Sequence, residues 1–178
     1  EKAQKGAFSS LLGLRFSPTV PETAFPSVRS AHPPAFSWKA VACGDSCLFH
    51  LRSGELITSF PLQRSSDFGI RPALLSSKAL NNKRLWEHIK FNAGVGEAGD
   101  CFLLATDALA CWLLGEAERG QAAFLRISAL RDPAAFTHIV NSLRTDRAIR
   151  NADTTLLIVA PASLATSAPP RRLRRRRG

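Results

Sequence analysis

Methionine is absent from the 178 residues, and the chain opens on Glu1. A translated chain starts with methionine, so the expectation is a processed chain, a fragment or a partial reading of something longer. No apolar run approaches the roughly 18 residues that a membrane span needs, and no basic stretch followed by an apolar one opens the chain as a secretion signal would. A cytoplasmic protein without a membrane span is therefore expected. Cysteine is scarce, at Cys43, Cys47, Cys101 and Cys111. Neither a C-x-x-C pair nor a paired-histidine spacing is present, which argues against a zinc site, and nothing marks the chain as secreted. The four read as reduced thiols. His32, His50, His88 and His138 are scattered and read as structural or surface residues.

What is present is an ordinary globular composition, 45% hydrophobic and 21% charged, enough for one core. The net charge of +10 suggests a polyanion binder until its location is considered. Six arginines, Arg171, Arg172 and Arg174 to Arg177, fall in the last eight residues and leave only +4 for the rest. No aromatic residue interleaves them, so a solvated basic tail is favoured over a nucleic-acid site. Polyanion binding through that tail stays open as an alternative function.

Residues 1–37 read as an N-terminal segment with a proline-rich loop, since Ser17 to Pro34 holds five prolines that block regular structure. Ala7 to Leu14 within it is apolar and suits a helix end or a buried strand. Residues 38–160 carry the folded domain, and 161–178 form the tail. Trp38 to Cys43 and Cys47 to Leu51 are β-prone runs split by Gly44-Asp45-Ser46. Ser53-Gly54 signals a hairpin into Glu55 to Phe60, and together these predict a three-strand meander. From Pro61 to Ala93 the pattern is mixed, with a turn at Phe68 to Pro72 and a weak helix around Arg84 to Ile89. Gly94-Val95-Gly96-Glu97-Ala98-Gly99 satisfies G-x-G-x-x-G, but it precedes a strand instead of following one and brings Glu97 and Asp100 where a pyrophosphate would lie; a plain loop is expected. Cys101 to Thr106 predicts a buried strand, and Ala108 to Glu118 a helix. Asp132-Pro133 is a helix start, followed by Phe136, Ile139, Val140 and Leu143 on one apolar stripe. Thr154 to Ala160 closes the domain as a strand.

Asp45 in its turn suits simple turn chemistry. Asp107, between a buried strand and a helix, suits either a helix cap or a metal ligand, and composition leaves both open.

Three segments bear on that choice. Ala40-Val41-Ala42-Cys43-Gly44-Asp45-Ser46-Cys47-Leu48-Phe49 resembles the strand and Gly-Asp-Ser turn of the type 2C, metal-dependent serine/threonine protein phosphatases. Gly99-Asp100-Cys101-Phe102-Leu103-Leu104-Ala105-Thr106-Asp107 resembles their Gly-Asp, apolar strand, Thr-Asp segment. Asn151-Ala152-Asp153-Thr154-Thr155-Leu156-Leu157-Ile158-Val159 is similar to their closing motif. The order and spacing agree over about Trp38 to Ala160, the C-terminal part of a divergent, bacterial-like domain of this family.

The resemblance implies an α+β fold, an antiparallel β-sandwich flanked by helices in αββα layers and incomplete at its N-terminus. It implies carboxylates at one end holding Mg²⁺ or Mn²⁺, which prefer oxygen donors, and activation of water for in-line attack on a phosphoserine or phosphothreonine. By position the resemblance makes Asp107 the counterpart of the central metal ligand and Asp45 of a carboxylate associated with a weaker additional metal, and Asp153 in the closing motif is the third candidate ligand. The match also has departures. Aligning Thr155 with the family's threonine puts Ala152 at the ligand position and Asp153 one residue later. Ala108 stands where a glycine is usual and Cys111 where a second aspartate is common. No aspartate precedes Asp45, so the upstream Asp-Gly pair of the family has no counterpart. Two expectations follow: a phosphatase domain acting on phosphoproteins, or a pseudophosphatase that binds a signalling partner without turnover.

Overall fold

The computed structural model describes residues 6–18, 35–69 and 71–161. Most of the proline-rich loop and the arginine tail lie outside the described residues, so the expectations placed on them stay as sequence readings. The chain forms two main antiparallel sheets. One has the order β2 (Leu11–Pro18), β3 (Phe36–Cys43), β7 (Lys90–Gly96), and the other β5 (Glu55–Phe60), β4 (Cys47–Arg52), β8 (Cys101–Ala105), β9 (Leu156–Val159). A small pair, β1 (Phe8–Ser9) with β6 (Leu75–Ser76), stands beside them. Three α-helices follow β8: α1 (Asp107–Glu118), α2 (Ala123–Ser128) and α3 (Pro133–Thr145).

Alternation along the strands builds the layers. Phe36, Trp38, Ala40 and Ala42 of β3 face Leu48 of β4 and Phe102 of β8 between the sheets. Full burial of a ring such as Phe102, at 0% exposure, contributes on the order of 2–3 kcal/mol. The intervening residues Phe49, Leu51 and Leu103 point the other way, against Leu109 and Leu113 of α1 and Phe124 and Ile127 of α2. Strands β4 and β8 are thus buried on both faces, which explains why they read as continuous apolar runs instead of alternating ones. The result is an α+β sandwich, with the described helices on the four-stranded side.

The meander expected from Trp38 to Phe60 is corrected. β3 pairs with β2 and β7, whereas β4 pairs with β5 and β8, so Gly44-Asp45-Ser46 crosses from one sheet to the other. Gly44 has φ +108°, and a Cβ there would lie 2.7 Å from Cβ of Ser10, so a sharp corner needs this glycine. The hairpin at Ser53-Gly54 does form, with φ of 52° and 82°, the paired positive values of a two-residue hairpin turn. The weak helix around Arg84 to Ile89 is a single 3₁₀ turn, Leu85–Glu87.

Gly94 and Gly96, expected in a loop, belong to β7. Register sets them opposite Trp38 and Phe36, and those rings lie across the glycine backbone. A Cβ on Gly96 would sit 2.2 Å from ring carbons of Phe36. That ring is wedged against Phe16 and Phe102, with centroids 5.5 and 6.1 Å away, and has nowhere to swing. Gly96→Ala is therefore expected to cost about 1–3 kcal/mol of stability through overpacking, measured as a lower urea midpoint with unchanged slope. A midpoint within error of the parent would mean that the ring yields.

Candidate active site

Two strands leave the four-stranded sheet at the same end. Cys47 opens β4 directly opposite Ala105, which closes β8. Asp45 stands two residues before Cys47 and Asp107 two residues after Ala105, so the antiparallel register brings the two carboxylates out together. Both line one cleft of about 420 Å³, whose walls include Phe68, Trp112 and Ile149. Burial raises the pKa of Asp45, and the neighbouring Asp107 charge raises it further, while a backbone hydrogen bond and Arg150 pull it down. Two carboxylates repelling each other in a half-shielded cleft favour a proton or a cation between them.

The start of α1 fixes Asp107. Thr106 precedes the helix in extended conformation, yet its hydroxyl does not cap α1. Instead Oγ1 donates to the carbonyl of Asp153 at 3.3 Å and accepts from the amide of Thr155 at 3.0 Å. Ala108 then packs with Val140 of α3 and with Ile149. The Thr-Asp and closing motifs therefore meet, as their resemblance to one site implies, but Asp153 presents its backbone there. Its exposed side chain does not line the cleft. Among the described residues no three His, Cys, Asp or Glu side chains gather as a metal cluster. The three aspartates do not converge. Asp153 follows the ligand position by one residue, and beside an extended segment one residue turns a side chain to the opposite face.

These donors decide what the cleft can hold. Asp45 and Asp107 fit one hard divalent cation, since Mg²⁺ or Mn²⁺ is commonly held by one or two carboxylates with water completing the shell. A bridged pair of cations calls for more carboxylates than the two in the described lining, where Ala108 and Cys111 of the same wall provide none.

The sequence reading missed the cations. Arg119, Arg147 and Arg150 line the cleft beside the two aspartates. Arg119 is engaged by Glu116 at 2.5 Å. Arg147 sits where α3 ends in a Schellman turn: the amide of Ala148 bonds the carbonyl of Leu143 at 2.8 Å, and that of Arg147 the carbonyl of Arg144 at 3.1 Å. The turn places Arg147 at φ +54°, a position usually taken by glycine. An arginine there costs on the order of 1–2 kcal/mol in backbone energy. The one sequence signal was the clustering of Arg144, Arg147 and Arg150 directly before Asn151-Ala152-Asp153.

A second polar group lies between the sheets at the far end of β8. His50 Nε2 is 2.7 Å from Oδ2 of Asp100. Arg52 donates to both oxygens of Asp100, at 2.9 and 3.0 Å, and pairs with Glu97 at 2.7 Å. His50 stacks on Phe102 with centroids 4.5 Å apart. From sequence Asp100 belongs to the Gly-Asp segment of the resemblance and is a charge unsuited to a pyrophosphate, while His50 reads as structural or surface; the fold makes His50 a buried, structural residue. All four cysteines are free thiols, and burial pushes Cys47 up to about 12, which leaves it inert.

No protein-family model matches this chain, and no curated protein matches it. Solved structures do. The serine/threonine phosphatase PstP/Ppp of Mycobacterium tuberculosis is 20% identical at a TM-score of 0.44, with 68% of this chain and 54% of that one covered. PppA, described as a key regulatory component of T6SS in Pseudomonas aeruginosa, is 20% identical at 0.41, with 70% and 52% covered. The photosystem II phosphatase PBCP is 22% identical at 0.33, with 40% and 27% covered. This chain thus spans about half of the first two chains and less of the third. Two of these neighbours are named as phosphatases, and a likeness of fold alone carries no activity to this chain.

Proposed function

We propose that the chain carries the carboxylate cleft of a type 2C-like phosphatase domain, built to take a phosphorylated serine or threonine of a protein with the help of one Mg²⁺ or Mn²⁺. The observation that supports it is the emergence of Asp45 and Asp107 side by side, forced by the pairing of Cys47 with Ala105. The Gly-Asp-Ser and Thr-Asp motifs thereby share one cleft. Asp107, held at the first turn of α1, and Asp45 across from it would be the protein ligands. When bound, such a cation supplies charge neutralisation and a more acidic water. The chain's own part is to hold two carboxylates in register, to offer arginines to an anion, and to wall the cleft with Phe68 and Trp112. A cytoplasmic setting belongs to the same proposal.

A second reading, a pseudophosphatase that binds a phosphorylated partner, is favoured by one observation: the side chain of Asp153 stays out of the cleft. Titration of Mn²⁺ by calorimetry tests what the two readings share. One site of modest affinity is expected, weakened about tenfold or more by Asp107→Asn, since a carboxylate ligand is lost. Binding should also fall with pH, because the raised pKa of Asp45 makes a proton compete with the metal. Mn²⁺ binding that ignores Asp107→Asn would remove the cleft from both readings.

A further inference from the structure

We propose that Arg147 and Arg150 form the phosphoryl-recognition subsite of this cleft, gripping a phosphomonoester dianion independently of any metal. This rests on the reading that the cleft receives a phosphorylated residue, and it names the groups that meet the phosphate.

Three observations carry it. The first is that both arginines line the same cleft as Asp45 and Asp107. Next, neither guanidinium has a hydrogen bond or ion pair with another described residue, in contrast to Arg52, Arg84 and Arg119, which are each paired. Two unengaged fork-shaped donors at the rim of a concave site match the oxygens of a phosphate, which Arg can bind in bidentate fashion. The third is Arg147's backbone. A helix that ends in this turn would be more stable with glycine at φ +54°, so the fold carries a strained residue in the lining of the cleft. Strain kept at the rim of a site is a pointer to function.

Charge sharpens the ligand class. The two aspartates alone would repel a phosphate. The two unengaged arginines cancel that repulsion, and the pair's double positive charge suits the dianion of a phosphomonoester better than a monoanionic diester. Trp112 and Phe68 of the same wall offer apolar surface to residues flanking the phosphorylated side chain.

The test uses the whole chain with a chelator present, so that no metal contributes. Phosphoserine and inorganic phosphate are titrated by calorimetry, with serine as the control. Phosphoserine is expected to bind and serine not to. Arg147→Gly and Arg150→Gln are each expected to weaken phosphoserine binding about tenfold, and the double variant about a hundredfold, as for loss of charge-assisted hydrogen bonds. Asp45→Asn should tighten it by removing a repelling charge. Arg147→Gly replaces a strained residue with the one the turn prefers, so its thermal midpoint should hold or rise, and weaker binding cannot then be blamed on unfolding. Phosphoserine binding that is undetectable at millimolar concentration, or unchanged in the double variant, overturns the proposal. Failure of the metal reading shows elsewhere, as Mn²⁺ binding insensitive to Asp107→Asn.

Discussion

Asp100→Ala is expected to lower the unfolding free energy by about 3 kcal/mol or more, the scale for breaking a buried, hydrogen-bonded charge pair. Asp100 is 1% exposed and His50 2%. Removing the carboxylate strands the His50 Nε2–H between Phe102 and Trp38, whose ring centroid lies 5.8 Å away, and takes away the acceptor that both nitrogens of Arg52 share. The parent's acid limb should report the same group. Burial alone would raise the pKa of Asp100, but hydrogen bonds from Arg52, the Glu97 amide and His50 outweigh it and hold the group at about 2. A folded-state pKa below the unfolded value of about 4 means that this stabilisation is complete above about pH 4. It is lost as pH falls from there toward 2. Urea midpoints of the parent should therefore drop across that window by the equivalent of about 2–3 kcal/mol, and those of Asp100→Asn should stay much flatter. A variant within about 1 kcal/mol of the parent would show that water replaces the carboxylate and that the network holds nothing.

The same network shows what could and could not be read from the chain. Cap and turn chemistry is local, so it was legible. Asp132 accepts from the amide of Ala134 at 2.9 Å and starts α3 at Pro133, and Ser53-Gly54 closes the β4–β5 hairpin. Strands buried on both faces, β4 and β8, showed as apolar runs with the right ends to within one residue. Sheet membership was not legible, because it depends on partners far along the chain. β7 looks like a glycine loop until Trp38 and Phe36 are seen to need bare backbone opposite them. Once β7 claims one edge of β3, and β2 the other, β4 is free to pair elsewhere, and the expected meander becomes a crossing between sheets.

The site divides along the same line. Asp45 and Asp107 were identifiable from short motifs, and register explains why they meet. Asp153 shows the limit of a motif match, since its carbonyl accepts from Thr106 while Asp153 does not line the cleft. Arg147 and Arg150 were invisible for a different reason. Exposed arginines in an irregular segment look like ordinary surface, and only the folded chain brings them into the lining of the carboxylate cleft.

With excess Mn²⁺, the 178-residue chain is expected to bind the metal yet to hydrolyse p-nitrophenyl phosphate at a rate indistinguishable from the metal-only background. In-line displacement at phosphorus asks for an activated water and for neutralisation of charge on both the entering and the leaving oxygens, and in two-metal sites the cations share these tasks. Each such electrostatic contribution is worth on the order of 100-fold or more in rate. The cleft lining supplies two carboxylates, Asp45 and Asp107, with Ala108 and Cys111 adding no oxygen. That suffices for one hydrated cation and leaves no further carboxylate in the described lining for a second. Arginines at the rim bind the phosphate in the ground state as well as in the transition state, and such uniform binding adds affinity without speeding the chemical step. The result should be a protein that holds metal and phosphate together while the ester survives. Robust Mn²⁺-dependent turnover by these 178 residues, surviving Asp107→Asn, would contradict both the donor count and the place given to Asp107. Turnover that Asp107→Asn abolishes would instead show that one cation with two arginines is enough.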